Sequence, residues 1–194
     1  MKQLLLFLSL TASSFLPAKY TNNHVSHSLT GPDTLKNHKS ENKYPALPAS
    51  VNHLFYVQRD PNANTIVYEL NAPNGKLDEE EPVHAYWIRY AAKGEHAELN
   101  YIQRKFAYGL NQKPLGNGKY DIRVVSYKKY PMTLMKSQDG KYHIFATIGQ
   151  KQVILNRIFV RIEGGSFWIP NVLYVELRGS DPVTGQEIVD RFKP

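Results

Sequence analysis

The stretch VHAYWIRYAAKGEHAELNYIQRKFAYGL, Val83 to Leu110, contains both periodicities that decide the fold. From Val83 to Tyr90 the side chains alternate, with Val83, Ala85, Trp87 and Arg89 on one face and His84, Tyr86, Ile88 and Tyr90 on the other. Both faces are largely apolar or aromatic, which predicts a central strand covered on both sides. The period then changes: Leu99, Ile102, Phe106 and Leu110 recur at helical spacing. Asn100 suits an N-cap, and Gln103 three residues on completes a capping box. Arg104 and Lys105 suit the carboxyl end, and Gly109 suits the position after it. These signals predict one short helix, about 101–108, lying against the strand or plugging the sheet.

Outward from this stretch the pattern is β. His53 to Gln58 and Thr65 to Leu70 flank a turn containing Asp60, Pro61 and Asn62. After the helix, Gly116-Asn117-Gly118 introduces Lys119 to Tyr127, and Ser137 to Gly140 joins Met132–Lys136 to Lys141–Ile148 as a hairpin. Gly149-Gln150 turns into the long run Lys151 to Glu163. Asn171 to Arg178 and a terminal strand, Gln186 to Lys193, follow. The count is about eight or nine short strands, with loops too short for βαβ crossovers. The predicted fold is mainly β, an antiparallel meander forming a closed or partly open lipocalin-like barrel with one short helix. A β-sandwich is the alternative this pattern leaves open.

The amino-terminal part reads differently. Met1 to Ala18 has Lys2, an apolar run from Leu4 to Leu10 and small residues up to Ala18, as a secretory signal does. That run is shorter than the roughly 20 residues of a membrane-spanning helix. Residues 19–50 are rich in Asn, His, Ser, Thr, Lys and Pro and offer little to bury, so they form a polar, disordered lead-in to a single domain, 51–194. The irregular spacing of His24, His27 and His38 fits a solvated linker better than a metal tract. The chain has no cysteine, which excludes disulfides, a thiolate nucleophile and a lipoprotein anchor. The expected location is therefore periplasmic or secreted, not lipid-anchored. Net charge is +7, but five lysines lie before Val51, and the remainder has no basic block of the kind nucleic-acid binding uses.

HLFYVQRDPNANTIVYELN, EEEPVHAYWIRY, LNYIQRKFAYGL and YVELRGSDPVTGQEIV together resemble a family of exported single-domain Bacteroidetes proteins built on a domain of unknown function. The resemblance covers Val51 to Pro194. It implies export and one domain, and brings no catalytic residue with it.

The catalytic motifs are missing: there is no HExxH, P-loop, GxSxG or GxGxxG before a helix. Gly164-Gly165-Ser166 precedes Phe167-Trp168, not a helix, so a bulge or loop is expected there, with Trp168 a candidate exposed sugar platform. His84, His96 and His143 are isolated, and neither a metal site nor a cofactor is expected. Arginines recur within apolar strands: Arg89, Arg123, Arg157, Arg161 and Arg178. Such arginines either lay their stems on apolar surface and pair with Asp121, Glu163 or Glu176, or converge on a carboxylate or phosphate ligand through their planar forks. The candidate ligand residues are His84, Tyr86, Trp87, Arg89, Tyr90, Tyr101, Arg123, Arg157 and Arg161. The leading expectation is an exported binding protein for a small amphipathic or anionic ligand. An enzyme using His84 or His143 with a carboxylate is the second expectation, and an interaction module of the cell envelope the third.

Overall fold

The computed structural model describes residues 47–59, 64–90, 93–165 and 170–194. The expected signal, the lead-in histidines, the turn residues Asp60, Pro61 and Asn62, and Trp168 lie outside the described residues.

The chain begins with β1 (His53–Arg59), β2 (Thr65–Leu70) and β3 (Val83–Arg89). A short edge strand β4 (Glu95–Glu98) and the helix α1 (Tyr101–Phe106) follow. Then come β5 (Leu110–Gly116), β6 (Lys119–Val124), β7 (Met132–Lys136), β8 (Tyr142–Ile148), β9 (Lys151–Gly165), β10 (Pro170–Ser180) and β11 (Glu187–Phe192). All the strands belong to one curled sheet that forms a half-barrel, so the partly open barrel is the expectation that holds.

The sheet is mixed rather than a pure meander. β1 pairs in parallel with β9, Tyr56 opposite Arg157 and Arg59 opposite Val160, while the other pairings are antiparallel. β9 is the junction. One of its edges takes β10 along most of its length, and the other takes β8 over Lys151–Ile154 and then β1 over Arg157–Val160. Leu155 and Arg157 of β9 oppose the consecutive residues Gly179 and Arg178, so Asn156 is the extra residue of a bulge. The bulge resets the alternation: Val153 and Leu155 face inward before it, Ile158 after it.

The inside of the half-barrel is occupied by its own side chains. Ile66, Tyr68, Ile122, Leu134, Ile144, Val153 and Leu155 are fully buried there in one cluster, with Trp87 and Leu99 beside them. Tyr68 stacks on Phe55 with ring centres 4.3 Å apart, and its hydroxyl donates to the Tyr108 carbonyl at 2.8 Å. Deep burial, with Tyr108 alongside, raises the Tyr68 hydroxyl well above the usual tyrosine range. A smaller cluster, Val67, Tyr86 and Ile88, packs on the outer face against Tyr90 and Leu47. Leu47 belongs to the segment read as lead-in, so ordered packing starts before Val51.

The capping box of α1 is as the sequence reads it: Gln103 N–H donates to Asn100 Oδ1 at 2.9 Å, and Asn100 N–H donates to Gln103 Oε1 at 3.0 Å. The apolar stripe is not. Leu99 is buried, but Ile102 and Phe106 are 55% and 43% exposed. The helix is anchored instead through Trp87 Nε1–H, which donates to Gln103 Oε1 at 3.1 Å, and through the Tyr108 ring edge-on to Trp87. Gly109 does not adopt a left-handed conformation; a Cβ there would run into the Arg104 carbonyl, and this close approach is what requires glycine.

Candidate functional site

Candidate ligand-contacting side chains gather in two places, the outer face of the first wing and a groove beside β5 and β6. Register sets the outer face. His84 lies opposite Glu69, Tyr86 opposite Val67, Val67 opposite Tyr56, Tyr56 opposite Arg157 and Arg157 opposite Arg178. His84, Tyr86, Tyr90, Arg157 and Arg161 therefore share this face.

Their polar atoms are largely committed to neighbours. His84 Nε2 is 3.1 Å from Glu98 Oε2, and His96 Nε2 is 3.5 Å from Glu98 Oε1. Burial opposes the Glu98 charge, but His84, His96 and Arg104 together outweigh it and hold the carboxyl below its usual range. The Tyr86 ring stacks on His96 at 4.0 Å, and burial followed by the hydrogen-bonded Glu69 carboxylate raises its hydroxyl. Arg157 lies over the Phe159 ring at 5.0 Å, and Arg161 faces Tyr174 in register. Arg178 pairs with Glu176, as the sequence allows, at 2.7 Å, and Arg191 closes on the other oxygen of the same carboxylate at 2.7 Å.

The remaining expected residues lie apart. Trp87 points inside, Arg89 is exposed at the end of β3, and Tyr101 is exposed on α1 with its hydroxyl accepting from Lys105 Nζ at 2.7 Å. Arg123 is on the other wing, in the groove.

That groove encloses about 890 Å³ and is wide open to solvent. Antiparallel register puts Asn111 opposite Arg123 and Lys113 opposite Asp121, so the four line its floor. Glu80 and Glu81, from the loop before β3, form one wall, and Lys128 stands beyond Arg123. Arg123 is fixed: its Nε donates to Asp121 Oδ2 at 2.9 Å and its Nη1 to the Lys128 carbonyl at 3.0 Å. Glu81 is taken by Arg104 at 3.0 Å. Lys113 and Lys128 form no ion pair among the described residues. The groove thus carries Lys113, Arg123 and Lys128 with Asp121 among them on one side, and Glu80 and Glu81 opposite.

Among the described residues no histidine lines it. His84–Glu98 and His143–Asp139 are within hydrogen-bonding distance, but the first lies at the edge strand β4 and the second in the β7–β8 hairpin. Among the described residues no group of three or more His, Cys, Asp or Glu side chains is placed to hold a metal ion, and no helix is long and apolar enough to cross a membrane.

Of the groove residues the sequence reading singled out Arg123 as a ligand candidate and Asp121 as an arginine partner, and the two are paired. Lys113 and Lys128 lie in segments with no strand alternation to mark them, and Glu80 and Glu81 read as a solvated acidic loop. The groove arises where β5 approaches the start of β3 across the open side of the half-barrel. No local signal encodes that meeting.

Residues 55–191 match the model of a family described as Domain of unknown function (DUF4833), and the chain belongs to that family. No curated protein and no solved structure matches it.

Proposed function

We propose that this member of the DUF4833 family is an exported, non-catalytic binding protein that holds a small anionic or amphipathic ligand in the groove beside β5 and β6. The observation that carries the reading is the arrangement at Arg123. Asp121 and the Lys128 carbonyl fix its guanidinium, and two amines that form no ion pair among the described residues, Lys113 and Lys128, line the same groove. A guanidinium held in place loses little entropy on binding, and two further cations make a carboxylate or phosphate its natural complement. The filled interior favours a surface groove over a lipocalin-type cup. Export rests on the Lys2, Leu4–Leu10 and Ala18 pattern and on the exported Bacteroidetes family that the sequence resembles.

Isothermal titration with citrate and with inorganic phosphate tests this. The wild-type protein binds at least one of them, and Arg123→Ala or the pair Lys113→Ala with Lys128→Ala weakens binding by about tenfold or more, as removal of a charge-assisted contact does. Absence of binding by wild type, or affinity unchanged in the variants, removes the groove as the site.

A further inference from the structure

We propose that the ligand of this groove is a short zwitterionic peptide, its carboxylate end at Arg123 with Lys113 and Lys128 and its ammonium end at Glu80; the inference rests on the groove being the binding site. Both signs of charge line the groove, so its preference is decided by the charges that its own pairs leave over. Asp121 turns both carboxylate oxygens to Arg123 Nε, at 2.9 and 3.2 Å, and Glu81 is held by Arg104 at 3.0 Å. Those pairs cancel. Left over are the ammonium groups of Lys113 and Lys128 and, opposite them, the carboxylate of Glu80, and these form no ion pair among the described residues. A purely anionic ligand meets Glu80 as a like charge, and a purely cationic one meets the lysines. A ligand with one end of each sign satisfies both sides.

The two sides are held at a set spacing. Asp78 Oδ1 accepts from the Glu80 and Glu81 N–H groups at 2.9 and 3.0 Å, and Asn71 Nδ2 donates to the Glu81 carbonyl at 2.9 Å, which ties down the loop that presents Glu80. That loop runs directly into Val83, whose N–H and carbonyl are each bonded to the Gln112 carboxamide at 2.9 Å. The clamp fastens the loop to β5 next to Lys113, so a ligand spanning the groove meets charges that are already placed. It also occupies the β5 edge at Gln112, so the ligand is gripped by its charged ends and not as an added strand. Between those ends Asn111 and Leu110 line the groove. The Asn111 carboxamide has both a donor and an acceptor for a peptide amide, and Leu110 offers contact to a small apolar side chain. The enclosed volume of about 890 Å³ is within the range of small-molecule sites and admits a peptide of a few residues.

The test is calorimetric titration of the full chain with trialanine, with N-acetyl-trialanine, which lacks the ammonium, with trialanine amide, which lacks the carboxylate, and with citrate. Trialanine is expected to bind about fivefold or more tighter than either blocked form, as loss of a charge-assisted contact at one end requires. Glu80→Gln is expected to weaken trialanine by about the same factor and to leave citrate binding undiminished, because the variant removes the ammonium's partner and a like charge facing the anion. N-acetyl-trialanine or trialanine amide binding as tightly as trialanine overturns recognition of both ends. Trialanine affinity unchanged in Glu80→Gln, or trialanine and citrate weakened alike, overturns Glu80 as the ammonium's partner. Citrate binding without trialanine binding overturns the zwitterion and leaves the anion groove standing. Failure of all four ligands overturns the groove itself.

Discussion

Val83 turns its N–H and C=O away from β2 at a point where β4 has already ended, so in a half-buried seam both would be left without partners. The carboxamide of Gln112 meets both. Val83 N–H donates to its Oε1 at 2.9 Å, and its Nε2 donates to the Val83 carbonyl at 2.9 Å. One side chain thus stands in for a strand neighbour and ties β5 to β3 across the open side of the half-barrel. Removing it leaves two main-chain groups unsatisfied. Gln112→Ala should therefore lower unfolding free energy by about 1–3 kcal/mol. Gln112→Glu should do no better at neutral pH, because a carboxylate still accepts from the Val83 N–H but faces its carbonyl with a second acceptor. Urea denaturation measures the loss, and faster exchange of the Val83 amide locates it. A Gln112→Ala protein as stable as wild type would mean that the seam is held elsewhere. Nothing in the sequence around Gln112 announces this role, because its partner is 29 residues away and is main chain.

At the scale of elements, what could be read depended on whether the determining contacts were local. The capping box of α1 lies within four residues, and the turns at Asn117-Gly118 and Gly149-Gln150 are set by residues that accept positive φ; all were legible. β4 and β5 were not. Glu95–Glu98 is a charged edge strand, and Leu110–Gly116 contains Gln, Lys and Pro, so neither shows apolar alternation. The direction in which α1 faces was misjudged for a related reason. Six residues make under two turns, and the chain leaves the helix at Ala107, so Leu110 does not extend the stripe of Ile102 and Phe106. Lys105 Nζ lies 5.1 Å from the Tyr101 ring centre and 5.4 Å from that of Phe106, which leaves these side chains in a cation–π cluster at the surface. Leu99 and Ile102 should accordingly behave oppositely. Ile102→Asp should change stability by no more than about 0.5 kcal/mol, whereas Leu99→Ala should cost about 2–5 kcal/mol. Thermal melts of the two variants decide it, and a large loss in Ile102→Asp would show the helix packed as the periodicity suggests.

For the molecule as a whole, the mainly β half-barrel was legible because alternation and turn chemistry recur along the chain. The parallel β1–β9 pairing was not, since it joins segments about a hundred residues apart with no crossover pattern between them. That pairing brings β10 and β11 onto the same sheet as β1, and with them the charge cluster of Glu176, Arg178 and Arg191. Burial alone would raise the Glu176 carboxyl, but hydrogen bonds and charge from Arg178 and Arg191 outweigh it and hold it below the usual range. Glu98 is lowered by its histidines and Arg104, Asp139 by His143 and the Lys141 N–H, and Asp181 by the N–H groups of Thr184 and Val183. A carboxyl whose folded pKa is depressed binds its proton more readily when unfolded. Its contribution is present above the unfolded value and is lost as pH falls through the folded one. The tyrosines act in the opposite direction. Burial raises Tyr68, Tyr86 and Tyr108, and burial with Asp190 nearby pushes Tyr130 up to about 12. A folded pKa above the unfolded one gives stability that is full below the unfolded value of 10.0 and is lost above it. The midpoint of urea unfolding should therefore be flat between roughly pH 5 and 9 and fall on both sides. Glu176 is the most enclosed of the four carboxylates, so Glu176→Gln should flatten the acid limb and leave the alkaline limb in place. An acid limb of unchanged slope in that variant would move the acid-sensitive charge away from the junction of β9, β10 and β11.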